Sequence, residues 1–107
     1  MISTHILDTS LGKTAQDVLV ELCKHDGQSW INIDSAKTNA DGRIAFNCPS
    51  NAGVYRLKFK IEDYFKKNNL TPFFLVAPVV FEITDITRKY HIPLLLNPFG
   101  YSTYRGS

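Results

Sequence analysis

Along most of its length the chain alternates apolar and polar residues with a period of two, and such a chain can bury itself only as sheets. Tyr55, Leu57, Phe59 and Ile61 alternate with Val54, Arg56, Lys58 and Lys60, so a strand here has one apolar and one wet face. Val18, Val20 and Leu22 alternate in the same way with Leu19, Glu21 and Cys23, and Ile31 and Ile33 with Trp30, Asn32 and Asp34. Val79, Phe81 and Ile83 alternate with Val80, Glu82 and Thr84; Tyr90, Ile92, Leu94 and Leu96 alternate with Lys89, His91, Pro93 and Leu95. Short segments near Ser3–Asp8 and Tyr101–Arg105 bring the expected number of strands to about seven. Turn formers separate them, among them Gly12, Asp26-Gly27, Asp41-Gly42, the run Pro49-Ser50-Asn51-Ala52-Gly53, and Asn97-Pro98. One stretch breaks the period. Ile61, Tyr64 and Phe65 have i, i+3, i+4 spacing, Glu62 and Asp63 come first and Lys66 and Lys67 last, so a short helix matched to its dipole is expected over 61–69. The sum is an all-β chain, an antiparallel β-sandwich with one short helix.

The 107 residues predict one domain spanning positions 1–107, large enough to bury its own core. With 44% hydrophobic and 21% charged residues of mixed sign, the chain is neither disordered nor low in complexity. The net charge of +2 is spread among Lys58, Lys60, Lys66, Lys67, Arg88 and Lys89 and broken by Glu62, Asp63, Glu82 and Asp85. Nucleic-acid binders concentrate their basic residues, so no nucleic-acid partner is expected. The apolar run around Pro72–Phe81 holds two prolines and falls far short of the roughly 20 residues of a membrane span, so no membrane association is expected either. Neither end carries a recognisable targeting signal, and a cytoplasmic protein is expected unless the chain is processed from a longer precursor. Cys23 and Cys48 are expected to be free thiols there, with a bridge between them as the alternative.

Pro93 cannot donate a ladder hydrogen bond, which predicts a strand near an edge or a Pro93 nitrogen facing away from its partner. If Leu95 faces outward, it needs cover from another subunit; otherwise the segment lies between two covered layers. His5, His25 and His91 form no pair with metal-ligand spacing, so no metal is expected. His25 flanks a turn. His5 and His91 interrupt strand-like segments, where a histidine is either a hydrogen-bonded structural residue or a proton-transfer group. Arg43 follows the Asp41-Gly42 turn, either as a surface arginine or as a clamp for a carbonyl or carboxylate. Spacing alone therefore defines a β-sandwich of unassigned function.

The end of the chain is more specific. Tyr104-Arg105-Gly106-Ser107 closely resembles the C-terminal signature of the 5-hydroxyisourate hydrolases, the transthyretin-related enzymes of purine catabolism. Ser3-Thr4-His5-Ile6-Leu7-Asp8-Thr9-Ser10-Leu11-Gly12-Lys13 resembles the opening motif of that family, and Thr38-Asn39-Ala40-Asp41-Gly42-Arg43 its central one. The closing block runs from Tyr90-His91-Ile92-Pro93 to the last residue, so the resemblance covers nearly the whole chain. Leu75 stands where the family more often has proline, a change confined to a loop.

The resemblance implies a transthyretin-like sandwich of about eight strands, the one missing from the period-two count lying beside Arg43. It implies a homotetramer, a dimer of dimers with active sites where the dimers meet, and a small-molecule substrate, 5-hydroxyisourate. Water opens the six-membered ring at an amide-type carbonyl, giving 2-oxo-4-hydroxy-4-carboxy-5-ureidoimidazoline without a cofactor. The catalytic residues it implies are His5, Arg43, His91 and Ser107, with Arg43, Tyr104, Arg105 and Gly106 binding substrate. His5 and His91 would move protons and orient water, in an order the sequence leaves open. Arg43 would hold the carbonyl edge and developing negative charge, and Ser107 would position water or a histidine. The rival reading is a binding module, since transthyretin uses this sandwich to carry a small hormone; a purely structural sandwich is the third. Carriage needs no joint presence of His5, Arg43, His91 and the terminal tetrapeptide.

Overall fold

The alternation resolves into two sheets in a computed structural model that describes residues 1–47 and 51–106. Cys48, Pro49, Ser50 and Ser107 lie outside the described residues, and with them the expectations for Cys48, for part of the Pro49–Gly53 turn and for Ser107. Nine strands are present among the described residues: β1 (Ile2–Asp8), β2 (Lys13–Thr14), β3 (Leu19–His25), β4 (Trp30–Lys37), β5 (Arg43–Phe46), β6 (Gly53–Lys60), β7 (Ala77–Ile83), β8 (Tyr90–Asn97) and β9 (Gly100–Thr103). One sheet runs β2-β1-β8-β9, with β5 also pairing β1; the other runs β4-β3-β6-β7. The strand beside Arg43 is β5, four residues long and too short to establish a period. β2, with two residues, is the other addition to the expected number.

The core sits between the sheets. Ile2 and Ile6 of β1, Val20 and Leu22 of β3, Tyr55, Leu57 and Phe59 of β6, and Leu94 and Leu96 of β8 are fully buried there. Two expectations need correction. β1 and β8 pair in parallel, so the sandwich is antiparallel in every other pair but this one. Ile31 and Ile33 remain exposed, because β4 is an edge strand that pairs only with β3 and its alternation covers nothing. Of the two readings of Pro93, the edge strand fails, since β8 lies between β1 and β9, and the nitrogen turned from its β1 partner holds.

Proline is accommodated in β8 by a gap in the ladder. The Tyr90 N–H bonds to the Met1 carbonyl on the β1 side, and the His91 carbonyl accepts the Gly106 N–H on the other. Alternation then turns the Pro93 nitrogen towards the C-terminal segment. The regular β9 pairing stops at Leu94–Thr103, and the same register resumes as a single bridge at His91–Gly106. Pro93 falls in the break, where Thr103 Oγ1 donates to its carbonyl at 2.6 Å.

Helix α1 (Ile61–Lys67) buries Ile61, Tyr64 and Phe65, as its spacing predicts. Tyr64 Oη donates to Asp8 Oδ2 at 2.6 Å and ties the helix to the end of β1. Asp8 is buried; its other oxygen accepts from Ser10 N, Ser10 Oγ and Leu11 N. Burial works to raise the Asp8 carboxyl, yet these hydrogen bonds to its charged form outweigh it and hold it below the usual range. No helix among the described residues is long and apolar enough to cross a membrane.

Candidate active site

Register alone assembles the site. Along β1, Ile2, Thr4, Ile6 and Asp8 point inward, which leaves Ser3, His5 and Leu7 on the outer face of the sheet. His5 is the register partner of Arg43 in β5 and of Pro93 in β8. Ser3 is likewise the partner of Ala45 and of His91, and His91 is bridged to Gly106. Two parallel rows therefore cross the outer face: Arg43, His5 and Pro93 in one, Ala45, Ser3, His91 and Gly106 in the other. His5 and His91 are diagonal neighbours on adjacent strands. The parallel β1–β8 pair is what lets residues 86 positions apart meet this way.

Arg43 is aimed by the turn before β5. Asn39 Oδ1 accepts the Asp41 and Arg43 N–H groups, each at 3.0 Å. Gly42 takes φ 72° and its carbonyl accepts the Ile6 N–H at 2.8 Å. A Cβ at Gly42 would stand 2.7 Å from the Ile6 carbonyl oxygen, so both the conformation and the close approach require glycine. Arg43 is exposed, and a cleft of about 270 Å³ runs past it to Ser3 and His91.

His91 is half-buried and held on two sides. Ser3 Oγ lies 2.8 Å from its Nδ1. On the other edge of the ring, a Cβ at Gly106 would approach Cδ2 to 2.6 Å. Burial lowers the pKa of His91, and the positive charges of Arg43 and then His5 lower it further; hydrogen bonding to the Ser3 backbone opposes them. All but the last of these favour the neutral imidazole, the form fit to accept a proton.

Tyr104 and Arg105 follow a different course. Tyr104 is 57% exposed beyond the end of β9. The Arg105 guanidinium stacks on the Tyr90 ring, 4.7 Å from its centroid, and lines a second, mostly apolar cleft of about 240 Å³ with Val79 and Phe81. The structure therefore gathers His5, Arg43, His91 and Gly106 on one face, while Arg105 lies against Tyr90 and apart from Arg43. His25 is remote from them, its ring packed edge-on against Trp30 at 5.0 Å. Ser3, Asn39 and Tyr90 were not among the expected site residues. Ser3 carried a signal, since it lies two residues before His5 on the same face of the same strand. Among the described residues, no three His, Cys, Asp or Glu side chains gather as ligands for a cation.

Two packed sheets, one short helix and a histidine-arginine cluster on the outer face of one sheet define a transthyretin-like sandwich. The chain belongs to the HIUase/Transthyretin family, whose family model matches residues 2–106. A 5-hydroxyisourate hydrolase of Halalkalibacterium halodurans is 44% identical, over 99% of this chain and 97% of that protein. The mouse protein of the same name is 39% identical, over 99% and 94%. Among solved structures, the 5-hydroxyisourate hydrolase of Klebsiella pneumoniae superimposes with a TM-score of 0.86 at 38% identity, covering 99% of this chain and 98% of that one. Sea bream transthyretin in complex with thyroxine gives 0.91 at 33% identity, covering 98% and 93%.

Proposed function

We propose that this chain hydrolyses 5-hydroxyisourate to 2-oxo-4-hydroxy-4-carboxy-5-ureidoimidazoline, a urate-degradation step that adds water across a cyclic amide. The observation that carries this reading is the convergence of His5, Arg43 and His91 on one outward face, in a chain with relatives named 5-hydroxyisourate hydrolase at 39–44% identity over nearly its whole length. Ring opening needs a base for water, a cation for the developing oxyanion, and an acid for the leaving nitrogen. The lowered pKa of His91 suits the first task, and His5, two strand positions along on β1, exchanges protons with the same bound ring. Arg43, standing free of β5 at the mouth of the cleft, holds the carbonyl edge and meets the negative charge. Gly106 packs against His91, and Arg105, anchored on Tyr90, fixes the course of the tail; substrate contact by Tyr104 and a water-positioning role for Ser107 are carried over from the resemblance.

The same reading makes the working unit a cytoplasmic homotetramer, a dimer of dimers. Its support is apolar surface on the sheet that carries the site: half-buried Leu95 shares the outer face of β8 with His91, and Phe99, 77% exposed, follows the far end of that strand. The test is direct. Urate oxidase generates fresh 5-hydroxyisourate, and its absorbance decay is followed with the wild type and with His91→Asn. Acceleration that collapses in the variant is expected. A folded tetramer that leaves the decay unchanged would replace this reading with that of a transthyretin-like carrier.

A further inference from the structure

We propose that Ser3 is a positioning residue for His91, its hydroxyl fixing the imidazole tautomer by holding Nδ1 so that proton transfer falls to Nε2. This inference rests on the hydrolase reading above. Ser3 Oγ lies 2.8 Å from His91 Nδ1, within the range of a direct hydrogen bond. The two residues are register partners in the β1–β8 pair, so the hydroxyl is delivered by strand backbone and not by a loop. Gly106 closes the opposite edge of the ring, its backbone close enough that even a methyl group there would collide with Cδ2. The imidazole is thereby clamped between a side chain of β1 and the backbone of the tail.

A hydroxyl is an unusual choice of orienting group, and the choice fits the surroundings. A carboxylate at this position would favour the imidazolium and work against a base. Serine brings no charge. Its oxygen accepts from Nδ1–H in the neutral ring, which leaves the lone pair on Nε2, and it keeps accepting from Nδ1–H in the imidazolium formed when Nε2 takes a proton. One contact therefore serves the ring before and after it has taken a proton. The charged and titratable groups facing His91 are Arg43 on β5 and His5 on β1, with Glu82 of β7, Tyr104 and Arg105 around the second cleft that His91 also borders. The two nearest in effect are basic and already disfavour the cation, so a neutral partner preserves what they establish.

The experiment compares Ser3→Ala, Ser3→Thr and Ser3→Asp in the full chain by turnover of freshly generated 5-hydroxyisourate, by pH profile, and by the 15N shifts of the His91 ring. Ser3→Ala is expected to lower kcat by roughly 10- to 100-fold, within what one acid–base group contributes, with KM within about twofold. Its ring nitrogens should move towards the average of a mixed tautomer population. Ser3→Thr, which restores the hydroxyl, should recover kcat to within a few-fold and return the wild-type shifts. Ser3→Asp should move the acidic limb of the profile to higher pH. An alanine variant with wild-type kcat and wild-type ring shifts overturns the proposal; so does a loss that threonine fails to repair while the shifts stay unchanged. If the wild type itself does not accelerate the decay, the hydrolase reading falls separately, and the nitrogen shifts alone decide whether Ser3 sets the tautomer.

Discussion

Gly106→Ala puts one methyl group against the imidazole of His91 and should separate activity from stability. The backbone at Gly106 does not demand glycine, since its φ lies outside the left-handed region. The imidazole demands it instead. The new Cβ would stand 2.6 Å from His91 Cδ2 and 3.3 Å from both His91 Cγ and Pro93 Cγ. Carbon atoms attract one another best at roughly 3.5–4.0 Å, so ring and tail must part by about 1 Å. Pro93 already interrupts the ladder here, and the bridge formed by Gly106 N and the His91 carbonyl at 2.8 Å is what holds the tail in place. Either the ring turns or the bridge opens. A misplacement of about 1 Å at a reacting group typically costs on the order of 10²-fold in rate, and that is the loss of kcat expected. The core between the sheets is untouched, so the unfolding free energy should change by no more than about 1 kcal/mol, one peptide hydrogen bond. Decay of 5-hydroxyisourate absorbance and urea titration measure the two quantities. Full activity in the variant would show that the tail contact plays no part in catalysis. A large loss of stability would show that the tail is a structural strand and not part of a site.

Arg43→Ala should lower kcat by roughly 10²–10³-fold, the usual cost of losing an oxyanion donor, and leave thermal unfolding unchanged because the side chain is exposed. Because the Arg43 charge helps to depress His91, its removal should also shift the acidic limb of kcat/KM to higher pH, which a pH–rate series would show. Tyr64→Phe removes a donor from buried Asp8 and should cost about 1–3 kcal/mol in urea titration at neutral pH. Asp8 is depressed in the folded state, so its contribution is present above the ordinary carboxylate pKa and lost as pH falls through the folded value; losing the Tyr64 bond should move that acid limb upward. An affinity tag fused after position 107 should reduce turnover without altering stability, because the added residues would follow directly on the Gly106–His91 contact.

Periodicity predicted the faces of strands far better than their neighbours. The inward sides of β6 and β7 and the buried side of α1 follow the spacing of their apolar residues, because each is set within one segment. The parallel β1–β8 pair is invisible to such reading, since nothing local in Ser3–Asp8 speaks of Tyr90–Asn97. Ile31 and Ile33 mislead for a related reason: alternation says that two faces differ and not that anything covers the apolar one. Pro93 left two readings open, an edge strand or a nitrogen turned from its partner, and a gap of one rung seats it inside the sheet in the second way. The site itself was legible only through resemblance. His5, Arg43 and His91 lie in three segments, and their convergence depends on two registers that no spacing rule supplies.

The backbone is silent between carriage and hydrolysis, because it overlays a thyroxine-bound transthyretin as well as it overlays a hydrolase. What can distinguish them is one face of one sheet. The period of two uncouples that face from the core: Thr4, Ile6, Ile44, Ile92 and Leu94 pack inward and hold the sandwich, while Ser3, His5, Arg43 and His91 stand at the alternate positions between them. Substitutions outside the core usually change stability by less than about 0.5 kcal/mol each. A set of outward residues can therefore change its chemistry without disturbing the fold that presents it, which is how one sandwich serves both as a carrier and as an enzyme. The corollary is testable in a single variant. Replacing Ser3, His5, Arg43 and His91 together should abolish turnover and leave a folded sandwich whose urea midpoint stays close to that of the wild type. A collapse of the fold would mean that the outer face is part of the structural core after all.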